Sequence, residues 1–183
     1  MDNYLFSVFP LENFIDLALY QSGWEQCFPA HTFGPVAKDH YLFHYVISGT
    51  GVFSAQNAKG SSTEYHIKSG EGFMMFPQQV CSYWADMELP WEYVWIEFDG
   101  LRVKESVELA GLSPEHTVYH SRSKELREKM MEEMLYIVHH PKESPLHILG
   151  HGFLFLDYLT RSMAPFRVGK NGKIQDFYMR EAL

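Results

Sequence analysis

The chain of 183 residues is poor in cysteine, has no excess of positive charge and contains no long apolar run. Its two cysteines, Cys27 and Cys81, lie far apart and form no CxxC pair. This is not the spacing of a disulfide framework. We interpret both as buried reduced thiols, in preference to a bridge, a metal site or a nucleophile.

Basic residues are outnumbered, with 15 Lys and Arg against 23 Asp and Glu and a formal net charge of −8. A protein that grips a phosphate backbone does so mostly through clustered Lys and Arg, and this sequence has no such cluster. Nucleic acid is therefore not expected as a direct partner of this chain.

The sequence also lacks targeting and membrane-spanning signals. The first twenty residues have no positively charged start and carry Asp2, Glu12 and Asp16, which is not the pattern of a signal peptide. No uninterrupted apolar stretch approaches the roughly 20 residues that a membrane-spanning helix needs. We expect a soluble, cytoplasmic protein without membrane contact.

What the sequence does have is apolar material, at 46% hydrophobic and 16% aromatic residues. Residues 1–30 are interpreted as an N-terminal arm with one short helical turn over Leu11–Leu19. From His40 to Gly100, β-rich runs recur at a pitch of about ten residues, as in an all-β sandwich or barrel. These runs are HYLFHYVISG, GVFSAQ, EYHIKSG, GFMMFP, CSYWAD and WEYVWIEFDG.

Helical stretches replace the strands after Gly100. They read RVKESVELAGL, SKELREKMMEEMLYIVHH and LHILGHGFLFLDYLTRSM. Ser123 can cap the second stretch, and the second and third each carry an apolar stripe. The stripes are Leu126, Met130, Met134, Ile137 and Val138, then Leu149, Phe153, Leu156 and Leu159. Pro141 and Pro145 separate the two, which predicts an antiparallel hairpin that packs on the barrel, pairs with a second subunit, or does both.

Residues 164–183 begin as a polar, glycine-containing linker and end as the start of a new helix. A helix that starts at Gln175 and stops at Leu183 is too short to be stable alone. We expect the chain to be a fragment of a longer protein.

The region from Gly34 to Gly100 resembles the cupin barrel, and more narrowly the N-terminal effector domain of AraC-type transcription regulators. The resemblance rests on HYLFHYVISGTGVF, on IKSGEGFMMFPQQ and on PWEYVWIEFDG, while GWEQCFPAHTFGPVAKD is similar to regulators of sugar utilisation of the multiple-sugar-metabolism kind. It implies a mainly β fold with C-terminal helices: a cupin-like jelly-roll barrel followed by an antiparallel helical hairpin. Residues 31–163 would then form the effector-binding and dimerisation domain.

The resemblance also implies partners. Regulators of this kind bind a small-molecule effector, form homodimers and contact DNA through a C-terminal helix-turn-helix domain. QDFYMREAL, at residues 175–183, looks like the opening of that domain's first helix, so DNA would be reached only through a part absent from this chain.

An enzyme is the alternative, because many cupins hold a metal ion with histidines and a glutamate. At the matching positions this sequence has His40, Leu42 and Val46, then Cys81 or Ser82. Only His40 is a histidine, and a metal site needs three or four convergent donors. We therefore expect this chain to bind no metal or cofactor and to catalyse no reaction. The competing hypothesis is a small cupin enzyme, such as a sugar isomerase or dioxygenase. The third hypothesis is a dimerisation module whose barrel is filled by its own side chains.

The last strand of the β region carries the best candidate for a binding site. Its two-residue alternation places Trp91, Tyr93, Trp95 and Glu97 on one face, opposite an apolar face. Aromatic faces stack on the C–H-rich face of a sugar, and phenol, indole and carboxylate groups bind its hydroxyls. The mixture predicts a sugar as the effector.

The family resemblance extends this site to other residues. It implies Trp95 as the stacking platform and Tyr83 and Tyr93 as hydroxyl partners; the arabinose regulator has histidine at the position of Tyr93, which leaves the sugar unidentified. His44 shares the inward face of the first β run and is either a sugar contact or a hydrogen-bonded core histidine. The arm folds over the ligand in sugar regulators. Here it carries Trp24, Glu25, Gln26 and then His31, any of which could close the pocket, and Trp24, Gln26 and His31 are the predicted ligand contacts.

Overall fold

Strands dominate the computed structural model, which describes residues 3–10, 14–57 and 59–163. Within those residues ten strands form two antiparallel sheets. The six-stranded sheet has the order β1 (Tyr4–Val8), β2 (Ala18–Gln26), β9 (Glu92–Asp99), β4 (Tyr41–Ser48), β7 (Glu71–Met75) and β10 (Val118–His120). The four-stranded sheet has the order β3 (Thr32–Ala37), β8 (Val80–Ala85), β5 (Thr50–Gln56) and β6 (Ser62–Lys68).

Alternation along the strands divides the apolar residues between two cores. On β4, Leu42 and Val46 face the space between the two sheets, whereas Phe43 and Tyr45 face the helices. Each sheet residue therefore belongs either to the interior between the sheets or to the layer between the six-stranded sheet and the helices.

Three helices cover the outer side of the six-stranded sheet: α1 (Leu101–Ala110), α2 (Lys124–His139) and α3 (Pro145–Met163). Ser123 caps α2 as predicted, because its hydroxyl accepts a hydrogen bond from the Leu126 amide at 3.3 Å. On α3 the predicted stripe is wrong at Phe153, which is 41% exposed. Gly152 and Phe155 are buried instead. The side of α3 that carries Gly152 faces Leu17 and Leu19, so Phe153 points away from the core.

The end of α3 is tied to the edge of the six-stranded sheet. The Tyr119 hydroxyl on β10 and the Ser162 hydroxyl are 2.7 Å apart, and the Arg122 amide donates to the Ser162 carbonyl at 2.8 Å. β10 in turn pairs with β7, where Val118 lies opposite Phe73.

The predicted fold class, a mainly β, cupin-like jelly roll followed by a helical hairpin, is confirmed. The helical turn over Leu11–Leu19 is wrong where the structure describes it, because Ala18 and Leu19 begin β2. Much of the predicted arm thus consists of two paired strands, β1 and β2. The linker and helix predicted for 164–183 lie outside the described residues. Among the described helices none is long and apolar enough to cross a membrane.

Candidate functional site

The inward row of β9 runs along the interior between the sheets. Trp91, Tyr93 and Trp95 lie in the core shared by both sheets, and successive rings are 5.9 and 5.5 Å apart. Glu97 continues the row and is also buried. The alternation predicted for this strand is the one that the structure has, with Val94 and Ile96 facing the helices.

Trp95 lies at the solvent end of the aromatic row. Its ring lies over the backbone of Gly23 on β2, where a Cβ atom would come within 2.2 Å of the indole. From the edge strand β1, the Tyr4 ring approaches Trp95 at 5.8 Å and stacks on Phe6 at 6.2 Å. Tyr4 and Phe6 are 50% and 47% exposed, so this end presents aromatic faces to solvent.

A polar cluster surrounds Glu97 on one side of Trp95. The Glu97 carboxylate accepts hydrogen bonds from Gln21 and from Lys38 Nζ at 3.1 Å, and His40 Nδ1 lies 3.1 Å from its other oxygen. Tyr20 stacks on the His40 ring at 3.6 Å. Burial alone would raise the pKa of Glu97, but the hydrogen bonds from Gln21, His40 and Lys38 and the Lys38 charge together lower it. The carboxylate is ionised and already oriented.

A second polar cluster lies on the other side of Trp95, around Tyr93. The Tyr93 hydroxyl donates to Glu25 Oε2 at 3.1 Å and lies 3.4 Å from the Tyr83 hydroxyl. His31 Nδ1 is 3.6 Å from Glu25 Oε1. Burial raises the pKa of the neighbouring Cys27 thiol to about 12, so this cysteine is no activated nucleophile.

His44 is enclosed by aromatic rings between these clusters. It is 1% exposed and stacks on Phe73 at 4.6 Å and on Trp95 at 6.0 Å, with the edges of Tyr83 and Tyr93 near 5 Å. Its Nδ1 has no hydrogen-bond partner among the described residues. Burial, with a smaller effect of the Lys38 charge, lowers the pKa of His44 to about 3, so the ring is neutral.

Two of the predicted arm contacts do not join this site. Trp24 packs on the helix side of the sheet, where its indole donates to Glu92 Oε1 at 2.8 Å, and Gln26 is exposed. The reason is the alternation of β2, which turns Gln21, Gly23 and Glu25 inward and Trp24 and Gln26 outward. Of the arm residues named from the sequence, Glu25 and His31 reach the inward clusters.

Gln21 and Lys38 are functional candidates that the sequence prediction missed, whereas Glu25 was named among the arm residues that could close the pocket. Gln21 lies in a segment that was not predicted as a strand, and Lys38 directly follows one. A strand assignment for residues 18–26 would have placed Gln21 and Glu25 on the face of Gly23, which was the available signal.

The deeper part of the interior is filled by the protein's own side chains. Phe53 stacks on Phe73 at 4.4 Å, and Phe73 lies 5.9 Å from Trp91. A cavity of about 140 Å³ lies elsewhere, between the N-terminal segment and the connection from α2 to α3. It is lined by Phe9, Pro10, Phe14, Leu19, Pro141, Lys142, Glu143, Pro145, Ile148 and Leu149.

Parts of this sequence are similar to those of known proteins. Residues 18–156 match the family of AraC-like ligand binding domains. The Msm operon regulatory protein of Streptococcus mutans is 27% identical over 69% of the chain and 44% of its own length. The raffinose operon transcriptional regulatory protein of Pediococcus pentosaceus is 36% identical over 45% of the chain and 29% of its own length. The matched part thus spans less than half of either regulator.

Solved structures of similar fold include an oxalate decarboxylase of Bacillus subtilis. It is 16% identical, with a TM-score of 0.41, and the similarity covers 58% of this chain and 34% of the decarboxylase chain. The protein YhaK of Escherichia coli is 13% identical, with a TM-score of 0.44 over 54% of this chain and 45% of its own. The family match covers well over half of the sequence, including every described strand except β1 and most of the helices. The chain therefore belongs to the family of AraC-like ligand binding domains.

Proposed function

We propose that this domain senses a sugar, which binds at the Trp95 end of the barrel and controls a DNA-binding domain outside this chain. The observation that carries the proposal is the arrangement on β9, where an aromatic platform lies between two hydrogen-bonded polar clusters. The relatives support a sugar, since one of them is the regulator of a raffinose operon.

The site has groups that suit both the apolar C–H face of a sugar and its hydroxyl groups. Tyr4 and Phe6, which are 50% and 47% exposed, offer aromatic faces to the C–H side of a pyranose, and the buried Trp95 ring lies against Tyr4 beneath them. Glu97 accepts hydrogen bonds from hydroxyls, and Lys38 and Gln21 donate them. His44 Nδ1 is a buried ring nitrogen without a hydrogen-bond partner among the described residues, and a ligand hydroxyl that entered the ring cluster would satisfy it, since a hydroxyl both donates and accepts.

The spacing of the clusters favours more than one sugar ring. Tyr93 and Glu97 stand two residues on either side of Trp95, about 7 Å away in each direction along the strand. On β2 the corresponding residues are Glu25 and Gln21, about 13 Å apart. An oligosaccharide could use both clusters at once, whereas a monosaccharide would reach one, so we propose an oligosaccharide of the raffinose kind.

A sensor rather than an enzyme fits these groups best. The Cys27 thiol is protonated, and the Glu97 carboxylate is held by three hydrogen-bonding partners that fix it as an acceptor. His40, which matches the one histidine of the cupin ligand positions, is itself bound to Glu97. A role in the cytoplasm follows from the proposed control of DNA binding.

The domain would act as a homodimer. On α3, Leu146, Phe153 and Leu154 share one side and are 71%, 41% and 43% exposed, which is unusual for apolar residues of a helix. A ligand that binds two dimer arrangements with different affinity shifts their populations, and this is how sugar binding would reach the DNA-binding domain.

Thermal unfolding in the presence of raffinose and of its component mono- and disaccharides tests the sugar proposal. We expect raffinose to raise the melting temperature of the wild-type chain, because a ligand that binds only the folded state stabilises it by mass action. Trp95→Ala should abolish the shift. Trp24→Phe is the matched control, because Trp24 faces the helices, and it should keep the shift. The proposal fails if no sugar shifts the transition or if Trp95→Ala responds like the wild type.

A further inference from the structure

Glu25, Cys27 and His31 meet where β2 leads into β3. One ligand atom from each, a carboxylate oxygen, the thiol sulfur and an imidazole nitrogen, lie within 4.8 Å of one another in the described part of the chain. None of the three is at a cupin ligand position considered above. We propose that these residues form a binding site for a divalent transition-metal ion of the zinc class, with a fourth position left to water or to a ligand.

The distances fit an ion better than they fit a hydrogen bond. His31 Nδ1 and Glu25 Oε1 are 3.6 Å apart, which is too long for a hydrogen bond. In a tetrahedral zinc site with bonds of 2.0–2.3 Å, neighbouring ligand atoms are roughly 3.3–3.8 Å apart. The observed His31–Glu25 separation is in that range. Because the three ligand atoms already lie within 4.8 Å of one another, small side-chain movements would bring all three to bonding distance of one ion.

The donor set selects the kind of metal. A thiolate, an imidazole and a carboxylate together suit zinc and its spectroscopic substitute cobalt(II), whereas magnesium and calcium prefer oxygen ligands alone. On binding, the sulfur–metal bond forms as the thiol proton leaves to solvent, so no oxidant or reductant is needed. Side-chain exposures of 14% for Glu25 and 29% for His31 leave the site open to an ion from outside.

The surroundings hold these ligands in place. The Tyr93 hydroxyl donates to Glu25 Oε2, which leaves Oε1 directed at His31. The buried Trp91 indole nitrogen has no hydrogen-bond partner among the described residues, and its N–H lies next to the Cys27 sulfur, where it would stabilise a metal-bound thiolate. Such outer contacts orient metal ligands and strengthen binding.

The loop between the ligands is shaped to bring them together. The Cys27 amide donates to the Trp91 carbonyl at 3.1 Å, and the His31 amide donates to the Phe28 carbonyl at 3.0 Å. Ala30 has a φ of +56°, a left-handed conformation that is uncommon outside glycine and closes this turn. Since β2 belongs to one sheet and β3 to the other, a bound ion would link the two sheets at the barrel end.

Cobalt(II) titration of the wild-type 183-residue chain, followed by absorption spectroscopy, tests the site. We expect one equivalent to produce visible bands of tetrahedral cobalt and a near-ultraviolet thiolate-to-cobalt charge-transfer band, both abolished by zinc. Cys27→Ser should remove the charge-transfer band. His31→Gln and Glu25→Gln should weaken zinc binding at least 100-fold, the upper end of the loss known for residues that only support a ligand.

Cys81→Ser is the matched control, because Cys81 is the other free, buried cysteine and lies outside the group. It should keep the spectrum and the affinity. The metal site is wrong if the wild type gives no charge-transfer band, if Cys27→Ser retains it, or if Cys81→Ser loses it. The site shares Glu25 with the proposed sugar site, but the titration is carried out without sugar, so the thermal-shift result with raffinose neither supports nor overturns the metal site.

Discussion

The position of His44 could be predicted from the sequence, but its surroundings could not. The alternation of β4 places it inside the barrel, as the sequence indicated, but its Nδ1 has no partner among the described residues. A core histidine is normally hydrogen-bonded, so an unpaired nitrogen in an aromatic environment costs stability and suggests a role in binding.

Burial of neutral His44 should make folding stability depend on pH. Its pKa is about 3 in the folded chain and about 6.5 when unfolded. Between these values the unfolded chain binds a proton that the folded chain does not, so the free energy of unfolding falls as pH drops, by up to about 1.4 kcal/mol per pH unit. His44→Leu should remove this contribution, which urea unfolding at several pH values between 7 and about 4 would measure.

The control for that measurement is His66→Leu, which changes an exposed histidine on β6. It should leave the pH dependence of the unfolding free energy as in the wild type. An unchanged slope in His44→Leu would mean that His44 does not titrate in this range.

Residues of the site could be predicted where a single strand carries them. The row from Trp91 to Glu97 followed from alternation alone. Gln21 and Glu25 could be placed in this way only once residues 18–26 were assigned as a strand, and Lys38 could not, because its contact with Glu97 depends on how the two sheets pack. Trp24 and Gln26 were predicted as contacts from their place in the arm, and the alternation of β2 turns them outward.

At the level of elements, the strands from β4 to β9 were the easiest to predict. Apolar alternation and glycine turns mark them; Gly49, for example, has a φ of +73° and packs against the Pro90 carbonyl, where a side chain would clash. β3 was missed, because Pro35 interrupts it and its pairing with β8 is irregular between Phe33 and Val36. β10 has only three residues, too few for a pattern.

β2 can pack between β1 and β9 only because it carries Gly23. A Cβ there would lie 2.2 Å from the Trp95 ring and 2.5 Å from the Leu5 carbonyl of β1. Gly23→Ala should therefore displace Trp95 and lower the free energy of unfolding by about 1–3 kcal/mol, the usual cost of overpacking. Urea unfolding followed by circular dichroism would measure the change.

Gly150→Ala on α3 is the matched control, since a Cβ there would meet no described atom within 4 Å. Because alanine favours a helix, this variant should be about 0.5–1 kcal/mol more stable than the wild type. Equal stability of Gly23→Ala and the wild type would show that the close approach of β2 to Trp95 is not a constraint.

At the level of the whole molecule, the proposed dimer depends on the exposed apolar side of α3. The double variant Phe153→Glu, Leu154→Glu places two charges on that side and should convert a dimer to a monomer, as measured by sedimentation equilibrium. Leu109→Glu on α1, where the native leucine is 56% exposed, should leave the dimer intact. A wild-type chain that is monomeric at high concentration, or a Leu109→Glu variant that also dissociates, would contradict the assignment.

The bond between Tyr119 and Ser162 has a mechanical consequence. His44 stacks on Phe73 of β7, β7 pairs with β10, and Tyr119 of β10 and the following Arg122 hold the final turn of α3 through two hydrogen bonds. A displacement of β7 inside the barrel would therefore act on these two hydrogen bonds at Ser162. The interior of the barrel and the C-terminal end of this 19-residue helix are thus mechanically connected.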